Sequence, residues 1–287
     1  MALQAELEYQ AARAGKIGRA HATPDYIIER YRRTTMWRLL PKEFMFRKLA
    51  DEGAFEGKRV LDFGSGEGTV ATQLARLGAQ VTGVDISPEL VALAREQARL
   101  DGVSDKVDFI VADITRNTLP RDHFDFVVCE AVLHHVDVYR FVPALVAALK
   151  PGGMMLVQEP RALPPLLQRL RDITPIAKDA SPDERPLNED EFRCVSSALN
   201  DVEVEHFHIA ARLTRLLPNL NRIDQGHPFT KAAVAALTGI DRALMTAFPA
   251  LRGIAGIAVL YGRKPFPVAQ AMAMDEETTQ PAVRSAA

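Results

Sequence analysis

Apolar positions recur at three- and four-residue intervals through the first 57 residues, at Tyr26, Ile27, Tyr31, Met36, Trp37, Leu40, Phe44, Met45 and Leu49. That is the spacing of helices with one buried face. From Lys58 the pattern changes to short apolar runs: Arg59–Phe63, Gln80–Asp85, Val107–Ala112, Phe124–Cys129 and Met154–Gln158. Such runs read as buried strands. Between them Val70 to Leu77 reads as a helix stopped by Gly78, and another runs from Pro88 to about Leu100 with Ser87 as its N-cap. The stretch Lys150-Pro151-Gly152-Gly153 reads as a turn before the fifth run. Strand–helix alternation at this spacing predicts an α/β fold, a Rossmann-like and mostly parallel sheet with helices on both faces.

After Glu159 the texture loosens. Pro160, Pro164, Pro165, Pro175, Pro182 and Pro186 punctuate the chain, followed by an amphipathic helix from Asn188 to Leu199 and strand patterns at Val202–Ile209 and Ile254–Tyr261. Between those strands lies helical character with a polar break at Asn219 to Pro228. The expected organisation is an N-terminal helical cap over 1–57, a ligand-binding core over 58–160, an acceptor lid with the final strands over 161–264, and a disordered tail over 265–287. Glycine and proline divide the same way. Ten of 17 glycines lie between Gly53 and Gly153, whereas thirteen of 18 prolines lie at or after residue 151, so the tight ligand-binding turns are expected in the middle of the chain.

Charge narrows the partners. With 35 Lys and Arg against 37 Asp and Glu the net charge is −2, which argues against broad affinity for nucleic acid. The apolar stretch from Ala232 to Tyr261 is broken by Asp241, Arg242 and Arg252, leaving no uncharged run of about 18 residues that would span a bilayer. The acidic start of the chain lacks the apolar segment of a secretory signal. Cys129 and Cys194 form neither a disulfide framework nor a zinc-ligand spacing, so a reducing cytoplasm is the expected location.

The chemistry concentrates after the first strand. Val60-Leu61-Asp62-Phe63-Gly64-Ser65-Gly66-Glu67-Gly68 sets three glycines at alternate positions between a strand and a helix, where a ligand can approach the backbone closely. Asp85 ends the next strand, 23 residues after Asp62, where a carboxylate can hold a ribose diol. A carboxylate at Asp62 would repel a pyrophosphate and attract an ammonium group. Together with Gly83-Val84-Asp85-Ile86-Ser87, Val111-Ala112-Asp113-Ile114, the fourth-strand segment Phe124 to Val136 and Leu149-Lys150-Pro151-Gly152-Gly153, this resembles the ordered motifs of the class I S-adenosylmethionine-dependent methyltransferases. The resemblance implies a seven-stranded sheet whose last two strands form an antiparallel edge. It also implies S-adenosylmethionine as cofactor and S-adenosylhomocysteine as product. It places Asp62 near the methionine amino group, Gly64, Ser65, Gly66 and Gly68 against the methionine part, Asp85 on the ribose with Ile86 against the adenine, Asp113 on the adenine amine beside Ile114, and Glu130 near the sulfonium.

Methyl transfer from a sulfonium is governed by alignment, and a base is needed only if the acceptor keeps its proton. His134 and His135 follow the fourth strand and Glu159 ends the fifth, so these are the candidate catalytic groups, with His135 slightly favoured as base. The alternatives are that one histidine packs under the loop and that Glu159 caps the turn at Pro160. No metal-ligand set is recognisable. The expected reaction is metal-independent O-methylation of a small molecule, similar to the ubiquinone and menaquinone or natural-product methyltransferases. C-methylation of a quinone or prenyl-type acceptor is the alternative, and a cofactor-binding protein without turnover is a second.

For the N-terminal cap, the basic residues Arg30, Arg32, Arg33, Arg38, Lys42, Arg47 and Lys48 read either as a solvated helix face or as part of a lid. In the lid reading Tyr26, Tyr31 or Trp37 would cover the acceptor, and peripheral membrane contact is left open. Asp183 to Leu187 reads as a turn or an acceptor rim. His206 and His208, alternating on a strand, read as structural. The apolar segment from Ala232 to Ala258 admits a hydrophobic acceptor, and either a monomer or a homodimer is compatible with the chain.

Overall fold

A computed structural model describes residues 2–32, 40–53, 55–114, 119–162, 164, 185–209 and 228–267. Trp37, Met36, Arg33, Arg38, Pro165, Pro175, Pro182, Asp183, Glu184, the stretch 219–227 and the tail from 268 onward lie outside these residues. The chain opens with α1 (Ala2–Ile17), α2 (Asp25–Arg32) and α3 (Pro41–Asp51). There follow β1 (Arg59–Phe63), α4 (Thr69–Arg76), β2 (Gln80–Asp85), α5 (Pro88–Leu100), β3 (Val107–Val111), β4 (Phe124–Glu130), α6 (Val138–Ala148) and β5 (Leu149–Pro160). The last elements are α7 (Glu189–Ser197), β6 (Asn200–Phe207), α8 (Pro228–Ala247) and β7 (Ile257–Arg263).

All seven strands form one sheet in the order β3-β2-β1-β4-β5-β7-β6. β1 to β5 run parallel, while β7 inserts antiparallel between β5 and β6. Both faces are covered, which is why the strands read as continuous apolar runs. Successive side chains still go to opposite layers. Val60, Phe126, Val128 and Leu156 pack with α3, α4 and α5, whereas Leu61, Phe63, Val127, Met155 and Val157 pack with α6 and α7. The strand order reverses between β1 and β4, so a crevice opens there beyond the carboxyl ends of the strands.

Several boundaries differ from the expectation. The glycine stretch after Lys150 is a bulge within β5 and not a turn before it: Phe124 pairs with Leu149 and Phe126 with Met154, a register shift absorbed where Gly152 takes φ +74°. β7 starts at Ile257 because Pro249–Ile254 winds as a 3-10 segment. β6 ends at Phe207, and His208 has φ +67°, so the alternation that would align it with His206 is broken.

Candidate active site

Between β1 and α4 the chain turns through Gly64 to Gly68, and the glycines have different tasks. A Cβ on Gly64, at φ +75°, would lie 2.3 Å from Val132 Cγ2, so this position lets the loop after β4 close onto the turn. Around Gly66, at φ +51°, a Cβ would meet nothing within 4 Å, and the backbone there faces open space. Gly68 serves packing, since a Cβ would meet Ala94 Cβ and Phe109 Cζ at 2.8 Å. Asp85 ties the turn to β2: its Oδ2 accepts from Gly66 N at 2.8 Å and its Oδ1 from Ser87 N at 2.9 Å.

The turn, the ends of β1, β2 and β4 and the loop after β4 enclose a cavity of about 910 Å³, within the range of small-molecule sites. Asp62, Gly64, Ser65, Gly66, Asp85, Ile86, Asp113, Ile114, Glu130, His134 and His135 all line it, whereas Gly68 and Glu159 stand behind its wall. Its acids, Glu6, Asp62, Glu67, Asp85, Asp113, Glu130 and Asp137, outnumber its bases, Arg13, Lys42 and Arg140.

Asp62 is the most perturbed of these acids. It is 2% exposed, and its Oδ2 is buried without a hydrogen-bond partner. Burial, reinforced by the neighbouring Glu130 and opposed by Lys42, pushes its carboxyl up to about 7. Glu130 Oε2 pairs with Lys42 Nζ at 3.0 Å, and its Oε1 accepts from Gln158 Nε2 at 3.3 Å. Asp85 is also raised by burial, opposed by the amides of Ser87 and Gly66. Ser65 Oγ is likewise buried and unpartnered. An orphaned carboxylate oxygen beside an open glycine backbone suits a ligand that carries an ammonium group.

At the other end of the cavity the loop after β4 is pinned from behind. Glu159 is 0% exposed. Its Oε1 accepts from Val132 N at 2.8 Å and Leu133 N at 2.6 Å, and its Oε2 lies 2.6 Å from His134 Nδ1. Two amides already donate to this carboxylate, so it acts as the acceptor and Nδ1 donates. The His135 ring lies against His134, centroids 4.1 Å apart, and its Nδ1 is 3.5 Å from Glu6 Oε2. Cys129, buried beneath this loop, has its thiol raised by burial and then by Glu159 and Asp62, which keeps it protonated and inert.

The roof of the cavity comes from α1. Glu6, Gln10 and Arg13 face it at i, i+4 and i+7. Gln10 Nε2 donates to Glu6 Oε1 at 2.6 Å, and Arg13 pairs with Glu67 of the glycine turn at 3.0 Å. The chain after α1 is clamped to α5, where Asp101 accepts from Thr23 N at 2.6 Å and Thr23 Oγ1 at 2.7 Å. Of the aromatics that the lid reading puts over the acceptor, Tyr26 and Tyr31 do not line the cavity and Trp37 lies outside the described residues. Tyr31 stacks on Phe46 at 4.2 Å, and Tyr26 is exposed away from the cavity wall. Of the basic stretch, Lys42 reaches the cavity, while Arg47 pairs with Asp51 and Lys48 lies over the Tyr261 ring.

Residues 61–157 match the profile of the methyltransferase domain family. Among curated proteins, the mitochondrial ubiquinone biosynthesis O-methyltransferase of Schizosaccharomyces pombe is 37% identical over 134 residues, covering 46% of this chain and 48% of that one. The ubiquinone biosynthesis O-methyltransferase of Methylocella silvestris is 42% identical over 101 residues, covering 35% and 39%. This chain therefore spans less than half the length of these relatives. Among solved structures, the [4+2]-cyclase SpnF has a TM-score of 0.52 at 24% identity, covering 81% of this chain and 85% of that one. Phosphoethanolamine N-methyltransferase 2 of Haemonchus contortus, in complex with S-adenosyl-L-methionine, has a TM-score of 0.51 at 22% identity, covering 76% and 51%. Both likenesses are of fold, and they span more than one chemistry.

Proposed function

We propose that this chain, which carries a class I S-adenosylmethionine-dependent methyltransferase domain, O-methylates a small molecule with His134 as general base. The observation that carries this reading is that a single cavity joins the glycine turn and orphaned Asp62 to an imidazole held by a buried carboxylate. The relatives named as O-methyltransferases support oxygen over carbon as the methyl-accepting atom. The acidic lining supports a small acceptor over a nucleic acid.

Asp62 Oδ2 would take the ammonium group of the cofactor, Asp85 the ribose hydroxyls, and Asp113 with Ile86 and Ile114 the adenine. Bound there, S-adenosylmethionine supplies a methyl group already activated as a sulfonium. His134 removes the acceptor's hydroxyl proton at Nε2. Glu159 holds the tautomer that makes this nitrogen the acceptor and offsets the imidazolium charge that follows, so it works through His134 without touching the substrate. A positioned base of this kind contributes roughly 10²–10⁴-fold.

The test is formation of S-adenosylhomocysteine from S-adenosylmethionine across a panel of phenolic and alcoholic acceptors. His134→Gln should reduce turnover by about 100-fold or more while leaving S-adenosylhomocysteine affinity within about threefold. Undiminished turnover in that variant would remove His134 from the mechanism.

A further inference from the structure

We propose that Glu6 of the roof helix α1 is a positioning residue for His135, so that the reacting end of the cavity is completed only when α1 lies over it. The inference rests on the reading above but concerns a residue outside the matched domain. Two acid–imidazole pairs meet here: Glu159 with His134 from the core, and Glu6 with His135 across the cavity mouth. The first is locked, with His134 and Glu159 side chains 3% and 0% exposed, whereas those of the second are each 17% exposed.

Three observations set Glu6 apart from an incidental surface contact. Its Oε1 is held by Gln10 Nε2 at 2.6 Å, leaving Oε2 directed at His135 Nδ1. Its carboxyl is held below the usual range, with the bond to His135 as the largest cause. Beside it, Gln10 Oε1 is buried and without a partner on the wall of the same cavity, in a residue 8% exposed. A helix that served only as cover would bury apolar side chains. This one sets a half-buried carboxylate and a buried, unsatisfied amide oxygen against the cavity, and the latter is unfavourable unless a ligand completes it. The separation of 3.5 Å is long for a hydrogen bond, as such contacts often are before a ligand draws them together. With Nδ1 turned toward Glu6, the other ring nitrogen of His135 is set in direction, in a ring tilted by 39° against that of His134.

The experiment uses the full chain, ¹⁵N-labelled and saturated with S-adenosylhomocysteine, with the His135 ring signals identified by their loss in His135→Asn. Long-range ¹H–¹⁵N correlations report which ring nitrogen carries the proton. Glu6→Ala should strip His135 of its predominant Nδ1–H form. Glu6→Gln, which keeps an acceptor oxygen but not the charge, should restore it. On any acceptor turned over by the wild type, Glu6→Ala should lower kcat about 10-fold, in line with other supporting-shell contacts. S-adenosylhomocysteine affinity should stay within about twofold, since Glu6 meets the reacting end and not the glycine turn. Unchanged His135 signals in Glu6→Ala, or an affinity loss as large as the kcat loss, would overturn the proposal. If the wild type methylates nothing, the methyltransferase reading fails while the ring spectra still decide the role of Glu6.

Discussion

Asp62→Asn should make the ligand-free protein more stable and at the same time a weaker binder of the cofactor. Burial carries the Asp62 carboxyl from an ordinary 3.8 to about 7, so between those values the folded chain keeps a proton that the unfolded chain has released. The folded state then binds more protons, and stability must fall as pH rises through the window. At 1.36 kcal/mol per unit, the burden grows by about 2–3 kcal/mol between about pH 5 and about pH 8, and asparagine, which mimics the neutral carboxyl, does not carry it. For a chain of this length that corresponds to a difference of roughly 4–10 °C in Tm. Differential scanning fluorimetry of both proteins across this range reads the gap, since other titrating groups are common to the two. An ammonium ligand favours the ionised carboxylate. Saturating S-adenosylhomocysteine should therefore flatten the pH dependence of the wild type and bind the variant about 10- to 100-fold more weakly, the worth of a charged hydrogen bond. A gap that does not widen with pH, or undiminished ligand affinity in Asp62→Asn, would refute both the buried charge and its assigned partner.

Two further substitutions probe the two sides of the cavity. Gly64→Ala places a Cβ 2.3 Å from Val132 Cγ2 at φ +75°; strain and overpacking together should cost about 2–5 kcal/mol. Chemical denaturation should show that loss, with partial recovery when Val132→Ala is added. Glu159→Gln keeps an acceptor for the amides of Val132 and Leu133 but turns an NH₂ toward His134 Nδ1. Turnover should fall by at least about 100-fold through the wrong tautomer, with about 1–3 kcal/mol of lost stability, whereas wild-type kcat in this variant would show that the tautomer does not matter.

What the sequence disclosed and what it hid follow from how each residue is buried. β1, β2 and β4 were legible because apolar side chains such as Val60, Leu61, Val127 and Val128 must fill two layers, and because Gly64 and Gly66 adopt backbone conformations that favour glycine. That Asp62, Asp85 and Glu130 share one cavity was legible for the same reason: they stand at strand ends whose position is fixed by the sheet. α1 was not, although it forms the roof. Its cavity-facing side chains are Glu6, Gln10 and Arg13, which leave no apolar stripe to mark the helix, so the lid reading turns to Tyr26, Tyr31 or Trp37, of which Tyr26 is exposed and Tyr31 stacks on Phe46. The division between the two histidines was hidden as well. Adjacent in sequence, His134 and His135 look interchangeable, and only the positions of Glu159 on β5 and Glu6 on α1 separate a ring fixed by the core from one completed by the roof. Hydrophobic burial is a property of a segment and shows in its period. Polar burial depends on a partner 25 residues away for His134, or more than a hundred away for His135, and it becomes visible only once the fold has brought the pair together.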